Sequence, residues 1–90
     1  MRPEISVVIP AFSVEKTVKN IVSMIRESKL VFEVIVIDNN STDRTYDFAK
    51  SAGAKIFSCK QQGLGYAMKL GIQKCKSDLV MKLVSQQLNF

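Results

Sequence analysis

The sequence contains no histidine and only two cysteines, and both shortages narrow the chemistry that it can support. Without histidine, it lacks the imidazole ligands and bases that serve many metal centres and nucleophilic sites. Cys59 and Cys75 are too few and too far apart for a disulfide framework or a Cys-x-x-Cys metal pair, so we expect two free thiols. Catalytic triads and most zinc chemistry are therefore excluded.

Long apolar runs are also missing. The apolar stretch that follows Met1 to Glu4 is much shorter than the roughly 20 residues that cross a bilayer, and it does not resemble a signal peptide. We therefore expect a cytoplasmic protein without a transmembrane segment. With 90 residues, 47% of them hydrophobic and 23% charged, the chain can form one small globular domain with a thin core.

Negative charge is scarce in the second half of the chain. Residues 1–49 contain six Lys/Arg and seven Asp/Glu, whereas residues 50–90 contain seven lysines and a single acid, Asp78. These lysines could attract a diphosphate, anionic lipid headgroups or nucleic acid, and solvated surface is the simplest interpretation of most of them. No known nucleic-acid-binding motif accompanies these lysines, so we expect no nucleic-acid partner, while an acceptor at a membrane surface stays open.

Apolar and β-branched runs predict four strands, and helical spacing of apolar residues predicts three helices between them. The strands are expected at residues 5–9, 32–37, 55–58 and 78–83, and the helices at residues 14–28, 42–52 and 65–74. This βαβαβαβ order predicts an α/β fold, an open, mostly parallel Rossmann-like sheet with helices on both faces. Residues 1–83 would form this domain, and residues 84–90 a C-terminal tail.

Small polar residues mark the expected helix ends. Ser13 is a candidate N-cap for the first helix, and Ser41 or Thr42 for the second. Gly53 follows the second helix and is the expected terminator, because glycine readily adopts the left-handed conformation found there.

Ligands of open α/β sheets bind beyond the carboxyl ends of the strands, where helix N-termini present free N–H groups. Three loops are predicted at that edge, at residues 10–13, 38–43 and 59–65. Asp38 directly follows a buried strand, so its carboxylate could accept a hydrogen bond from a base or a ribose hydroxyl. A turn-forming aspartate would explain the same position equally well.

Two of these loops carry motifs that resemble family 2 glycosyltransferases. Residues 6–12 read Ser-Val-Val-Ile-Pro-Ala-Phe, and residues 35–45 read Ile-Val-Ile-Asp-Asn-Asn-Ser-Thr-Asp-Arg-Thr. Residues 63–71, Gly-Leu-Gly-Tyr-Ala-Met-Lys-Leu-Gly, are similar to the family's Gly-x-Gly-x-x-Ala-x-x-x-Gly segment, particularly in polyprenyl-phosphate mannosyltransferase-like members. Together the three segments extend the resemblance over about residues 5–83, the N-terminal half of such a domain.

The resemblance implies a type-A nucleotide-sugar fold that transfers a sugar from a nucleoside-diphospho-sugar. In such a fold the first motif frames the base, the second contacts uracil, guanine or ribose, and the glycine segment lies near the diphosphate. The implied nucleotide-binding residues are Pro10, Ala11, Phe12, Asp38, Asn39, Gly63, Gly65 and Lys69. Phe12 stands where the family more often has tyrosine, so the ring can still stack but has no hydroxyl.

The motif that holds the metal in this family is missing. Family members would use Mg²⁺ or Mn²⁺, held by an Asp-x-Asp after the fourth strand, where this chain has Val84-Ser85-Gln86 and no acid beyond Asp78. We therefore expect no catalytic residue, no metal ligand and no retained cofactor, since the carboxylate that activates the acceptor is missing as well.

Three hypotheses remain open from the sequence. The chain could be a truncated glycosyltransferase, a non-catalytic module that binds a nucleoside diphosphate or nucleotide-sugar, or a half-domain that self-associates through uncovered sheet surface. The last hypothesis predicts a homodimer or larger homo-oligomer.

Overall fold

The strands and helices alternate along the chain as predicted. A computed structural model describes residues 4–83 of the protein. The strands are β1 (Ile5–Ala11), β2 (Val31–Asp38), β3 (Lys55–Ser58) and β4 (Leu79–Lys82), and the helices are α1 (Val18–Arg26), α2 (Thr45–Ser51) and α3 (Leu64–Lys74). The largest shift from the predicted bounds is at the start of α1. The predicted tail, residues 84–90, lies outside the described residues.

The four strands form one parallel sheet in the order β3-β2-β1-β4. The chain moves from β1 outward to β2 and β3, then crosses back to place β4 on the other side of β1. Because right-handed crossovers in opposite directions lie on opposite faces, α1 and α2 cover one face and α3 the other. The predicted open α/β sheet is confirmed.

Successive residues of β1 and β2 face the two helical layers alternately. Val7, Ile9, Val34 and Val36 pack with α1 and α2. The intervening Val8, Ile35 and Ile37 pack under α3 against Ala67. The central strands are therefore buried on both faces, which explains why their sequences show continuous apolar runs instead of alternation.

The prediction that Ser13 caps α1 is wrong. Ser13 has a left-handed φ of 52°, and α1 begins only at Val18 after an irregular turn. The Ser13 N–H instead donates to Ser41 Oγ at 2.9 Å, a contact with the next loop that the local sequence does not reveal.

The predicted caps of α2 are also wrong at its start but right at its end. Asp43 Oδ1, not Ser41 or Thr42, accepts the N–H of Thr45, the first residue of α2, at 3.0 Å. Gly53 follows the helix with a φ of 99°, so its predicted role as terminator is confirmed.

A buried carboxylate joins the amino-terminal ends of the strands. Glu33 on β2 is only 6% exposed; its Oε2 accepts from Ser6 Oγ of β1 at 2.5 Å and from the Lys76 N–H, just before β4, at 2.7 Å. Its Oε1 pairs with Lys55 Nζ of β3 at 2.8 Å. Burial alone would raise the pKa of Glu33, but the hydrogen bonds from Lys55, Ser6 and Lys76 outweigh it and lower the pKa below its ordinary value.

Helix α3 packs close to the sheet at Gly71. A Cβ added there would collide with Val8 Cγ1 and lie 3.3 Å from Ile37 Cγ1. At Gly65, an exposed residue in the first turn of the same helix, an added Cβ would meet no heavy atom within 4 Å. Of these two glycines, only Gly71 is therefore required for the packing of α3 on the sheet.

Replacing the buried carboxylate should lower stability in a pH-dependent way. We expect Glu33→Gln to reduce the free energy of unfolding at pH 7 by about 1–3 kcal/mol, because hydrogen bonds to a charged group are lost. Since the folded pKa is lowered, the stabilisation is complete above the ordinary pKa and disappears as pH falls through the folded value. In urea titrations the two proteins should therefore converge as the pH falls below the ordinary pKa of glutamate and through the lowered folded pKa of Glu33.

The matched control for this experiment is Glu27→Gln, which changes an exposed glutamate just after α1. It should alter stability by less than about 0.5 kcal/mol. An equally small effect of Glu33→Gln at pH 7 would contradict the role assigned to Glu33.

The two helical glycines provide a second, paired prediction. Gly71→Ala should lower the free energy of unfolding by about 1–3 kcal/mol because α3 must move away from β1. Gly65→Ala should leave it unchanged or raise it by up to about 1 kcal/mol, because alanine favours a helix and meets no neighbour. Urea unfolding measures both, and equal effects of the two substitutions would refute the close approach at Gly71.

Candidate functional site

The carboxyl ends of three strands lie level with one another. In the sheet register Ala11 of β1 is the partner of Asp38 of β2, and Asp38 is the partner of Ser58 of β3. The loops that follow these residues therefore emerge along one edge, as the sequence predicted for loops 10–13, 38–43 and 59–65.

Asp38 serves the turn that it begins. The residue is 7% exposed, and its Oδ1 accepts the Ser41 N–H at 3.2 Å, closing a turn around Asn40, which has a left-handed φ of 62°. The Asp38 carbonyl also accepts the Cys59 N–H at 2.9 Å, which fixes the start of the third loop. Geometry thus assigns the Asp38 carboxylate a local hydrogen bond to the backbone of its own turn.

Asp43 and Thr45 fasten the second loop to the first. The buried Thr45 Oγ1 donates to Asp43 Oδ1 at 2.5 Å and accepts the Val14 N–H at 2.8 Å. Asp43 Oδ2 accepts the Glu15 N–H at 3.2 Å. Burial acts to raise the pKa of Asp43, but these hydrogen bonds outweigh it and lower the pKa, so the carboxylate is ionised near neutral pH.

Five of the eight residues predicted from the resemblance meet at one pocket of about 120 Å³. Its lining consists of Pro10, Ala11, Phe12, Asn39, Gln62, Gly63 and Leu64. The half-exposed Phe12 and Leu64 supply apolar walls. Sequence reasoning missed Gln62 and Leu64, and the only signal that could have indicated them was their position beside Gly63 in the third loop.

Asn39 connects the second loop to the start of α3. Its Nδ2 donates to the Gly63 carbonyl at 2.9 Å, which determines the orientation of the amide. The residue is 7% exposed, and no donor within residues 4–83 reaches its Oδ1. Asn39 therefore presents a fixed acceptor at a pocket that it also lines.

Gly63 gives the chain the conformation needed before α3. Its φ of 131° favours glycine, and the helix begins at the next residue, Leu64. Because the first N–H groups of a helix have no intrahelical acceptor, the pocket lies beside a partly positive helix end.

The remaining predicted residues lie apart from the pocket lining. Gly65 is in the first turn of α3 and Lys69 is further along the same helix, and both are exposed. Asp38 lies beneath the second loop. The predicted nucleotide-binding roles of all eight residues remain predictions.

Residues 4–83 offer neither a cluster of metal ligands nor a helix that could span a membrane. They contain no group of three or more His, Cys, Asp or Glu that could hold a metal ion. None of the three helices described is long and apolar enough to cross a membrane.

Comparison with known families gives a match over most of the chain. The model of glycosyl transferase family 2 matches residues 6–83. Among curated relatives, the chain is 32% identical over 84 residues to 4,4'-diaponeurosporenoate glycosyltransferase of Staphylococcus haemolyticus, covering 86% of the chain and 22% of the relative. It is 34% identical to glucosyl-3-phosphoglycerate synthase of Mycolicibacterium paratuberculosis, covering 94% of the chain and 29% of the relative.

A solved structure with a similar fold comes from the same type of enzyme. Glucosyl-3-phosphoglycerate synthase of Mycobacterium tuberculosis, in complex with Mn²⁺, UDP-glucose and phosphoglyceric acid, superimposes with a TM-score of 0.80 at 30% identity. The match covers 92% of this chain and 33% of that protein. The chain thus spans about a fifth to a third of the length of these similar proteins.

The link between the first two loops can be tested at Thr45. Thr45→Val keeps the side-chain shape but leaves the Val14 N–H and the Asp43 carboxylate without a hydroxyl partner. We expect the free energy of unfolding to fall by about 1–3 kcal/mol in urea titrations. The control Thr42→Val alters an exposed threonine of the same loop and should change it by less than about 0.5 kcal/mol. Equal stability of the two variants would show that the Thr45 hydroxyl does not hold the loops together.

Proposed function

The chain belongs to glycosyl transferase family 2, and we propose that it supplies the donor-binding part of an enzyme that transfers a sugar from a nucleoside-diphospho-sugar. The observation that carries this proposal is the pocket in which the ends of β1 and β2 meet the start of α3. Motifs that lie far apart in the sequence, at Pro10 to Phe12, at Asn39 and at Gly63, contribute to that one pocket. The complexes of the similar synthase with UDP and UDP-glucose support a uridine nucleotide as the ligand.

The apolar side of the pocket suits a nucleobase. Phe12 and Leu64 are half-exposed, and Pro10 completes a surface against which a flat ring can pack. Asn39 Oδ1 accepts no hydrogen bond from residues 4–83 and would take an N–H from uracil or guanine. We favour Asn39 over Asp38 for this contact because the Asp38 carboxylate already accepts a hydrogen bond within its own turn.

The glycine segment suits the diphosphate. Free N–H groups at the start of α3 attract anions, and Gly65 leaves open space where another residue would place a side chain. Lys69 is an exposed residue farther along the same helix and would add a positive charge near the phosphates. Gly63, Gly65 and Lys69 therefore form the proposed diphosphate side of the site.

The residues of this chain do not fit the metal that accompanies the donor in the similar synthase. Mg²⁺ and Mn²⁺ prefer carboxylate and other oxygen ligands, and the chain has no Asp or Glu after Asp78. The resemblance places the metal motif at Val84 to Gln86, which lies outside the described residues. We propose that these 90 residues retain no metal ligand and no acceptor-activating base, and that they do not transfer sugar alone.

A non-catalytic nucleotide-binding module is the second candidate function. It is favoured by the combination of a pocket that keeps its family motifs and a chain without the metal-binding carboxylates. We further propose a cytoplasmic location, which the two free thiols, Cys59 and Cys75, support.

Binding of a uridine nucleotide can be tested by titrating the protein with UDP and GDP while following the amide signals of Phe12, Asn39 and Gly63. We expect UDP to shift these signals at millimolar concentration or below. Phe12→Ala should weaken binding by roughly three- to tenfold, because loss of an aromatic contact costs about 0.5–1.5 kcal/mol. The control Phe32→Ala removes a similarly exposed ring from the amino-terminal part of β2 and should leave binding unchanged.

The same titration tests the proposed loss of metal binding and catalysis. Adding Mg²⁺ or Mn²⁺ should not tighten UDP binding, and UDP-glucose should be neither hydrolysed nor used as a donor. Metal-dependent turnover would contradict the proposed loss of catalysis. Failure of both nucleotides to shift the pocket signals would instead show that the pocket no longer binds its ligand.

A further inference from the structure

Strand β4 has the composition of an interior strand but the position of an edge strand. The sheet order places it at one edge, beside β1 alone among the described strands. Leu79 and Met81 are more than half exposed and Val80 is 37% exposed. The main helix–strand contacts are made with β1, β2 and β3, so neither face of β4 is covered by a helical layer. An apolar parallel strand normally requires cover on both faces.

No other strand within residues 4–83 pairs with the outer edge of β4. The Leu83 N–H donates to the Val8 carbonyl of β1 at 2.9 Å. Because peptide groups alternate in direction along a strand, those of Val80 and Lys82 point away from β1. An apolar pocket of about 280 Å³ lies over the α1 side of β1, with Leu30 and Val31 at one end and Met81 and Leu83 of the β4 segment at the other.

Two opposite charges are placed symmetrically about Val80. Asp78 lies two residues before Val80 and Lys82 lies two residues after it. Four residues of strand separate the two charges by about 13 Å, too far for them to pair with each other. The ion pairs found within residues 4–83 are Arg44–Asp47 and Lys55–Glu33, so neither charge has an opposite partner there.

We infer that β4 pairs with β4 of a second copy of this chain in antiparallel orientation, about a two-fold axis at Val80. In that register Val80 lies opposite Val80 of the second copy, and Leu79 lies opposite Met81. Asp78 lies opposite Lys82 on each side of the axis, so both charges gain a partner. If the pairing shifted by one residue, β4 side chains on the α1 side of one sheet would lie opposite β4 side chains on the α3 side of the other.

The interface closes on itself and is short. A two-fold antiparallel pairing joins the two four-stranded sheets into one sheet of eight strands. The β4 edges of both copies are then paired with each other, so no third copy can add at β4. Four residues a side bury less than the about 1,200 Å² typical of stable complexes, so the dimer should be weak and concentration-dependent. This inference does not depend on nucleotide binding.

Charge exchange across the axis tests the pairing and its register. Sedimentation equilibrium of the full chain should show a monomer–dimer equilibrium. Lys82→Asp and Asp78→Lys each create two like-charge contacts and should weaken dimerisation by about tenfold or more. The double variant Asp78→Lys/Lys82→Asp restores opposite charges and should return the dissociation constant to within about threefold of the original.

The control Lys60→Asp makes the same change in net charge as Lys82→Asp, at an exposed loop residue on the far side of β1 and β2. It should not affect dimerisation, and circular dichroism should show that every variant is folded. A monomer at all concentrations, or a dimer insensitive to both single changes, would overturn the inference. Hydrogen exchange adds an independent measure, since the Val80 and Lys82 amides should gain protection only as the dimer forms. Protection of these amides in a dilute monomer would show that another part of the same chain covers β4.

Discussion

The buried carboxylate of Glu33 connects every strand of the sheet at its amino-terminal end. It lies on β2, accepts from Ser6 on β1, pairs with Lys55 on β3 and accepts the Lys76 N–H that leads into β4. A buried charge is costly unless it is paired and hydrogen-bonded, and here each oxygen has a partner. The arrangement therefore fixes the positions of β3 and of the turn before β4 relative to the two central strands.

Strand β2 also positions both ends of α3. Asn39 directly follows β2 and holds the Gly63 carbonyl, while Glu33 holds the backbone just beyond the carboxyl end of the helix. The 11 residues of α3 span about 16 Å, and the six residue-to-residue steps from Glu33 to Asn39 span about 20 Å along the strand. Helix α3 is thus attached to β2 at both ends, and its close contact at Gly71 fills the space between. The pocket beside Gly63 depends on this attachment.

The sequence predicted the strands, the helices and the pocket to different extents. Strand positions could be predicted because buried parallel strands have continuous apolar runs, and the same local signal located all three helices. The burial of Glu33 could not be predicted, because its partners come from three other segments of the chain. The wrong caps have the same cause, since Ser13, Asp43 and Thr45 bond across two loops that only the folded sheet brings together.

The turn from Asp38 to Asp43 contains residues that stabilise the fold and one residue that lines the candidate site. Its two aspartates hold the turn and the loops, and the residue between them that lines the pocket is Asn39. A motif match alone could not separate these roles, because side-chain hydrogen bonds in a turn and contacts to a ligand use the same residue types. The structural role of Asp38 and Asp43 also explains how the motif can be retained in a chain with no Asp or Glu after Asp78.

The two proposed surfaces are separated by the fold. The pocket is built from the carboxyl ends of β1 and β2 and the start of α3, and these are held by the loop bonds and by Asn39. The outer edge of β4 contributes to none of these contacts within residues 4–83. Covering β4 with a second copy therefore leaves the pocket accessible, and nucleotide binding should be independent of protein concentration. A dimer that altered UDP affinity would mean that β4 is coupled to the pocket through β1, the one strand that contributes to both.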